Sequence, residues 1–170
     1  MITIKRFTPD QWELLKDQIL NIENCFPEEL GADEVETKKW CCANDAVVFL
    51  AFDGDEIMGD IYAGGLDPKD ENWEVGEWDD YEHLDKKVAY IYSVAVLPDY
   101  RYQGIAKSLK IKMNETLKEL GYDYVLGHSN EGSMTRISLS LGAKILKKEE
   151  NICGSSETHY LTETGLKETY

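Results

Sequence analysis

Basic residues are scarce in this chain: 18 Lys and Arg stand against 33 Asp and Glu, a formal net charge of −15. Such a surplus repels nucleic-acid backbones and anionic bilayers, so no nucleic acid and no membrane is expected as a partner. Cysteine is sparse too. Cys25, Cys41, Cys42 and Cys153 form no C-x-x-C pair, and adjacent Cys41 and Cys42 suit neither a disulfide framework nor a zinc site. The expectation is reduced thiols in a cytoplasm and no bound metal. No apolar run approaches the roughly 20 residues of a membrane span, and Met1–Arg6 carries no apolar signal core, which argues against an export signal. Internal repeats and low-complexity stretches are absent. The 170 residues fit a single domain over residues 1–170 with a core of its own.

What is present reads as alternating strands and helices. Ile2 to Phe7 alternates as a short strand. Thr8 suits a helix N-cap and Pro9 a first turn; Trp12, Leu15, Ile19 and Ile22 then recur at helical spacing until Pro27 breaks the pattern. A second helix is expected near Asp33 to Cys42. Val47 to Phe52 and Ile57 to Ala63 form a hairpin about Asp53-Gly54-Asp55. Val88 to Leu97 is near-continuously apolar and aromatic, hence a central buried strand. Gly104 to Leu120 is a helix closed by Gly121, Tyr122 to Leu126 a strand, and Met134 to Leu141 a short helix capped by Gly142. One or two more strands are expected around Lys144 to Lys148 and Thr158 to Leu161. Together these give a mixed sheet flanked by helices.

Charge is unevenly spread. Leu66 to Lys87 holds nine carboxylates with Trp73, Trp78 and Tyr81 interleaved, an excursion between strands. Carboxylates among ring faces suit a cationic acceptor; a solvated acidic loop is the other reading. Arg101 to Lys118, by contrast, carries five basic residues against Glu115 alone. A basic stretch in an acidic protein points to an anionic ligand there, or to a solvated helix face.

The chemistry concentrates in Val94-Ala95-Val96-Leu97-Pro98-Asp99-Tyr100-Arg101-Tyr102-Gln103-Gly104-Ile105-Ala106. A buried strand stops at a proline, and after a short turn a helix starts at a glycine. The first-turn N–H groups have no intrahelical partner and, with the helix dipole, make an anion site. Gly104 allows close approach to the backbone, and Arg101 adds a cation. A pyrophosphate fits this arrangement. Arg-x-x-Gly-x-Ala after a buried strand resembles the signature of the GNAT superfamily of N-acyltransferases, Gln/Arg-x-x-Gly-x-Gly/Ala. The lead-in Val-x-Val-x-Pro-x-Tyr-Arg, the Asp53-Gly54-Asp55 hairpin with Ile57-Met58-Gly59, and Leu141-Gly142-Ala143 are similar to further parts of that family.

The resemblance implies an α/β (α+β) fold with a mixed, mostly antiparallel sheet of six to seven strands. It implies acetyl-CoA as co-substrate, held at the pyrophosphate by the backbone of Arg101, Tyr102, Gln103, Gly104, Ile105 and Ala106 with Lys107 close by, along the pantetheine by Val94, Ala95 and Val96, and by Asn130. A bulge in that strand would aim an N–H at the thioester carbonyl and stabilise the oxyanion. The acceptor is expected to be a small-molecule or peptide amine, attacking directly in a ternary complex, on a monomer or homodimer. An alkylamine with pKa near 10.4 is neutral in roughly one molecule per 10³ at pH 7, a cost of roughly 4–5 kcal/mol that a base or desolvation must offset. The chain departs from the family where base and acid are usual: Tyr92 stands at the strand position of the usual Glu, and Ser138 at that of the usual Tyr. His128 is a third candidate. Those departures leave open a non-catalytic acyl-CoA-binding module, and the charge an acidic protein-interaction module, on the same fold.

Overall fold

A computed structural model of the chain describes residues 1–66 and 81–167. Strand β1 (Ile2–Arg6) leads into a 3-10 turn at Pro9–Gln11, fixed by the Thr8 N–H donating to Gln11 Oε1 at 2.9 Å. Helix α1 (Trp12–Glu23) follows, ending four residues before Pro27. Its stripe of Trp12, Ile19 and Ile22 is buried, each such side chain contributing roughly 1.5–3 kcal/mol. Asp33 caps α2 (Glu34–Cys42), its Oδ1 accepting from the Glu36 N–H at 2.8 Å. Gly54, at φ +62°, turns β2 (Val47–Asp53) into β3 (Glu56–Gly65). The remaining elements are β4 (Val88–Val96), α3 (Ile105–Glu119), β5 (Tyr124–Asn130), α4 (Ser133–Ser140), β6 (Lys144–Glu149) and β7 (His159–Gly165).

The strands make one seven-stranded sheet in the order β1-β2-β3-β4-β5-β7-β6, antiparallel throughout except for β4 beside β5. The expected architecture is therefore present. One boundary moves: β5 starts two residues later than the apolar run Tyr122 to Leu126 suggests and continues through Gly127, His128, Ser129 and Asn130. Hydropathy falls at Gly127, but the ladder with β7 continues to Asn130 opposite His159.

Helix α3 covers one sheet face, packing Ile105, Leu109, Met113 and Leu117 on Met58, Ile61, Ala89, Ile91 and Val96. Helices α1 and α2 cover the other, with Trp12, Ile19, Ile22 and Cys41 against Leu50, Tyr62 and Ala95. Two irregularities in β4 shape the site. The register with β3 slips between Ile91, opposite Ala63, and Ser93, opposite Tyr62, so Tyr92 is a bulged extra residue. A bulge shifts the alternation of faces: Ala89 and Ile91 face α3, but Ser93 and Ala95 turn toward α1. The second irregularity is a divergence: β4 and β5 pair only as far as Ile91 opposite Gly127. Beyond that point the two strands separate.

Candidate active site

That divergence opens a cavity of about 570 Å³, reached from both sheet faces, within the range of small-molecule sites. On the α3 side its wall is the turn after β4. The Arg101 side chain does more there than carry charge: its Nε donates to the Val96 carbonyl at 2.9 Å, tying the turn to the strand end. Tyr102 (φ +62°) and Gly104 (φ +81°) are both left-handed, which folds the backbone back just before Ile105 begins α3. A Cβ placed on Gly104 would meet no atom within 4 Å. The space beside that backbone is open, as a cradle for an anion requires.

Of the residues expected to hold the cofactor, Val94, Ala95, Val96, Arg101, Tyr102, Gly104, Ile105, Ala106, Lys107 and Asn130 line this one cavity; Gln103 does not. Met134 and Ile137 of α4 close it from the far side. The Asn130 Nδ2 donates to Glu157 Oε2 at 3.3 Å. A chain of small and apolar residues on β4 leading to an anion cradle at a helix start fits an acyl-CoA: an apolar channel for the pantetheine and backbone N–H groups for the phosphates.

The catalytic candidates part company. Tyr92 and His128 line the cavity. Tyr92, on the bulge, stacks on Trp40 of α2 with ring centres 5.3 Å apart and planes 16° from parallel. Ser138 lies outside it. Its buried hydroxyl accepts from Lys110 Nζ at 2.7 Å and donates to the Met134 carbonyl at 3.2 Å. Lys110 is therefore not part of a solvated basic face; burial pulls its ammonium down to about 8. Of the ring residues in the acidic excursion, Trp73 and Trp78 lie outside the described residues. Tyr81 is not on the cavity: its hydroxyl donates to Glu163 Oε2 at 2.5 Å. There it joins His83, stacked on Tyr124, and Lys144, 3.2 Å from Glu163 Oε1. This cluster anchors the return of the excursion onto β7.

One buried carboxylate on the cavity, unlike the exposed Glu157, is not among the residues expected from the sequence. Glu23 ends α1, is 3% exposed, and lines the cavity on the α1 side with Phe26, Trp40, Tyr90 and Tyr92. Tyr62 Oη and Ser93 Oγ, a cross-strand pair on β3 and β4, both donate to Glu23 Oε1, Ser93 at 3.0 Å. The bulge at Tyr92 is what turns Ser93 toward α1. Desolvation lifts the Glu23 carboxyl to about 6, partly offset by the Ser93 and Ala32 hydrogen bonds. The signal was in the spacing: Glu23 is i+4 from Ile19, on the apolar stripe of α1 rather than its solvent face. Nearby Asp60 is fully buried, both carboxylate oxygens without a partner among the described residues, and burial beside Glu23 pushes its pKa well up.

A family model described as Acetyltransferase (GNAT) family matches residues 16–135. By sequence, no curated protein matches the chain significantly. Solved structures similar in fold include the ribosomal-protein-S18-alanine N-acetyltransferase from Escherichia coli, 15% identical, covering 100% of this chain and 97% of that one with a TM-score of 0.71. Arabidopsis thaliana NAA60 in complex with acetyl-CoA is 18% identical over 98% of this chain and 99% of that one, TM-score 0.71. An aminoglycoside 6'-acetyltransferase type Ii is 17% identical over 99% of each chain, TM-score 0.72.

Proposed function

Because the chain belongs to the Acetyltransferase (GNAT) family, and so is an acetyl-CoA-dependent N-acetyltransferase, we propose that its acceptor is a cationic primary amine deprotonated by Glu23. The observation that carries this reading is a buried carboxylate at the acceptor end of the cavity, walled by Phe26, Trp40, Tyr90 and Tyr92. Ring faces and one carboxylate suit an ammonium group. Glu23 titrates near 6, so at neutral pH it is ionised yet close enough to pH 7 to take a proton from the bound ammonium and release it to water. Desolvation in the same pocket lowers the amine's own pKa.

Arg101 to Lys107 hold the pyrophosphate, with Lys107 as counter-charge. Past Ile91, β4 loses its β5 partner, and its Val94 to Val96 backbone is available to pair with the pantetheine amides and to present an N–H to the thioester oxygen. Asn130 flanks the same arm. The neutral amine then attacks the carbonyl directly, and no covalent enzyme intermediate is needed. Tyr92 acts as a wall of the acceptor site through its stack on Trp40.

The test is release of coenzyme A thiol from acetyl-CoA across a panel of primary amines. Polycations and lysine-like amines should be turned over, with anionic amines excluded. Turnover favouring anionic or neutral amines would overturn the acceptor assignment. Full activity of Glu23→Gln would overturn the role of Glu23.

A further inference from the structure

One more set of side chains on this cavity has a directed order. On β4, Tyr90 Oη lies 2.6 Å from His128 Nδ1 on β5, and His128 Nε2 lies 2.8 Å from Glu149 Oε2 on β6. These are three strands, and β6 is not adjacent to β5 in the sheet. Glu149 reaches His128 because it ends β6 opposite His159, next to the place where β5 runs past β4. All three side chains are largely shielded, Glu149 at 12% and His128 at 9% side-chain exposure, and Tyr90 and His128 line the cavity. A carboxylate beside Nε2 selects the tautomer with the proton there, leaving Nδ1 to accept from the tyrosine hydroxyl.

We propose that Tyr90, His128 and Glu149 form a proton relay that takes the second proton from the acceptor nitrogen and returns it to the coenzyme A sulfur. The proposal rests on the acetyl-transfer reading above. Amide formation requires the nitrogen to lose two protons. Glu23 takes the first, which makes the amine neutral, and passes it to water. As the N–C bond forms, Tyr90 Oη accepts the second proton while its own passes to His128 Nδ1; the imidazolium so formed is held by the Glu149 carboxylate. As the C–S bond breaks and sulfur takes its electron pair, Tyr90 delivers a proton to sulfur and His128 Nδ1 returns one to Oη. The three residues end as they began, and the products are amide and thiol.

The electrostatics around the imidazole suit a transient cation rather than a resting one. Burial pulls the His128 pKa below its ordinary value, and His159 on β7 and Lys147 on β6 push the same way, while Glu149 pulls it up. His128 is thus neutral and ready to accept at neutral pH, with one carboxylate placed to stabilise the charge when it arrives. This arrangement also explains why Ser138 can sit away from the cavity: the departing sulfur draws its proton from β4 rather than from α4.

Tyr90 is the catalytic residue of the relay; His128 and Glu149 act through it. The experiment measures kcat for an amine that the unaltered chain turns over, at saturating acetyl-CoA, across pH. Tyr90→Phe should lower kcat by about 100-fold while KM for acetyl-CoA stays within about threefold. Glu149→Gln can still accept the Nε2 hydrogen bond but lacks the charge. Its kcat should fall about tenfold, and in a Glu23→Gln background, which removes the Glu23 limb, the remaining acid limb of kcat should move to lower pH together with the His128 titration followed by NMR. Were His128 a structural prop, the kcat limb would not follow that titration, and this result would overturn the relay. So would unchanged kcat in Tyr90→Phe. A chain that turns over no amine fails before either variant is compared, and takes the acetyl-transfer reading down with the relay.

Discussion

Glu23 and Ser138 show how one hydroxyl or carboxyl is assigned by what surrounds it. Glu23 is raised above its ordinary value by burial, so its neutral form is the one the fold prefers. The stability this contributes is fully present below the unfolded carboxylate range and is lost as pH rises through about 6. Glu23→Gln, which can still accept from Tyr62 and Ser93, should therefore raise Tm above pH 7 by a few degrees and leave it little changed at pH 4.5. Calorimetry at the two pH values checks this. Ser138 bonds a buried lysine instead of facing the cavity. Ser138→Ala removes the partner of Lys110 Nζ and should cost roughly 1–3 kcal/mol of stability, with kcat changed less than about threefold. Denaturant unfolding and steady-state rates on the same sample separate the two effects.

At the scale of elements, the strand–turn–helix from Val94 to Ala106 was legible because its punctuation is chemical: a proline ends the strand and a glycine opens the helix. What was not legible is the bracing. Arg101 reads in the sequence as a cation for phosphate, whereas its Nε is committed to the Val96 carbonyl. Arg101→Lys keeps the charge but loses the planar donor, and should raise KM for acetyl-CoA about tenfold with kcat little altered. Gly104→Val places a β-branched residue at φ +81° and fills the open side of the cradle, and should abolish the thermal shift given by acetyl-CoA. The bulge at Tyr92 was anticipated in kind, a few residues further along β4. Its consequence was hidden, since only the register with β3 reveals that Ser93 turns toward α1. Tyr90 was concealed in the same way, as one more aromatic in a strand that reads throughout as core. Glu149 sits in a charged stretch, Lys147 to Glu150, and nothing in its spacing separates it from its neighbours.

For the molecule as a whole, the alternation of apolar runs and glycine stops conveyed the sheet and its helices, because each element buries a face. The cavity wall around Glu23 was harder to read, since it is assembled from α1, α2, β4 and β5, with Tyr62 of β3 bonded to Glu23 behind it, contributions far apart in sequence. The net charge of −15 should attract a polycationic acceptor over long range, so its KM should rise severalfold between 50 and 300 mM salt, while KM for a monoamine moves less. Deprotonation of the amine turns on the carboxylate at the end of α1, and the pH dependence of kcat/KM for a cationic amine, unaltered chain against Glu23→Gln, tests this most directly. The unaltered chain should lose activity as pH falls through about 6, where Glu23 takes up its proton. Glu23→Gln should lie about 100-fold lower at pH 7.5, without that limb. Two superimposable profiles would contradict Glu23 as the base.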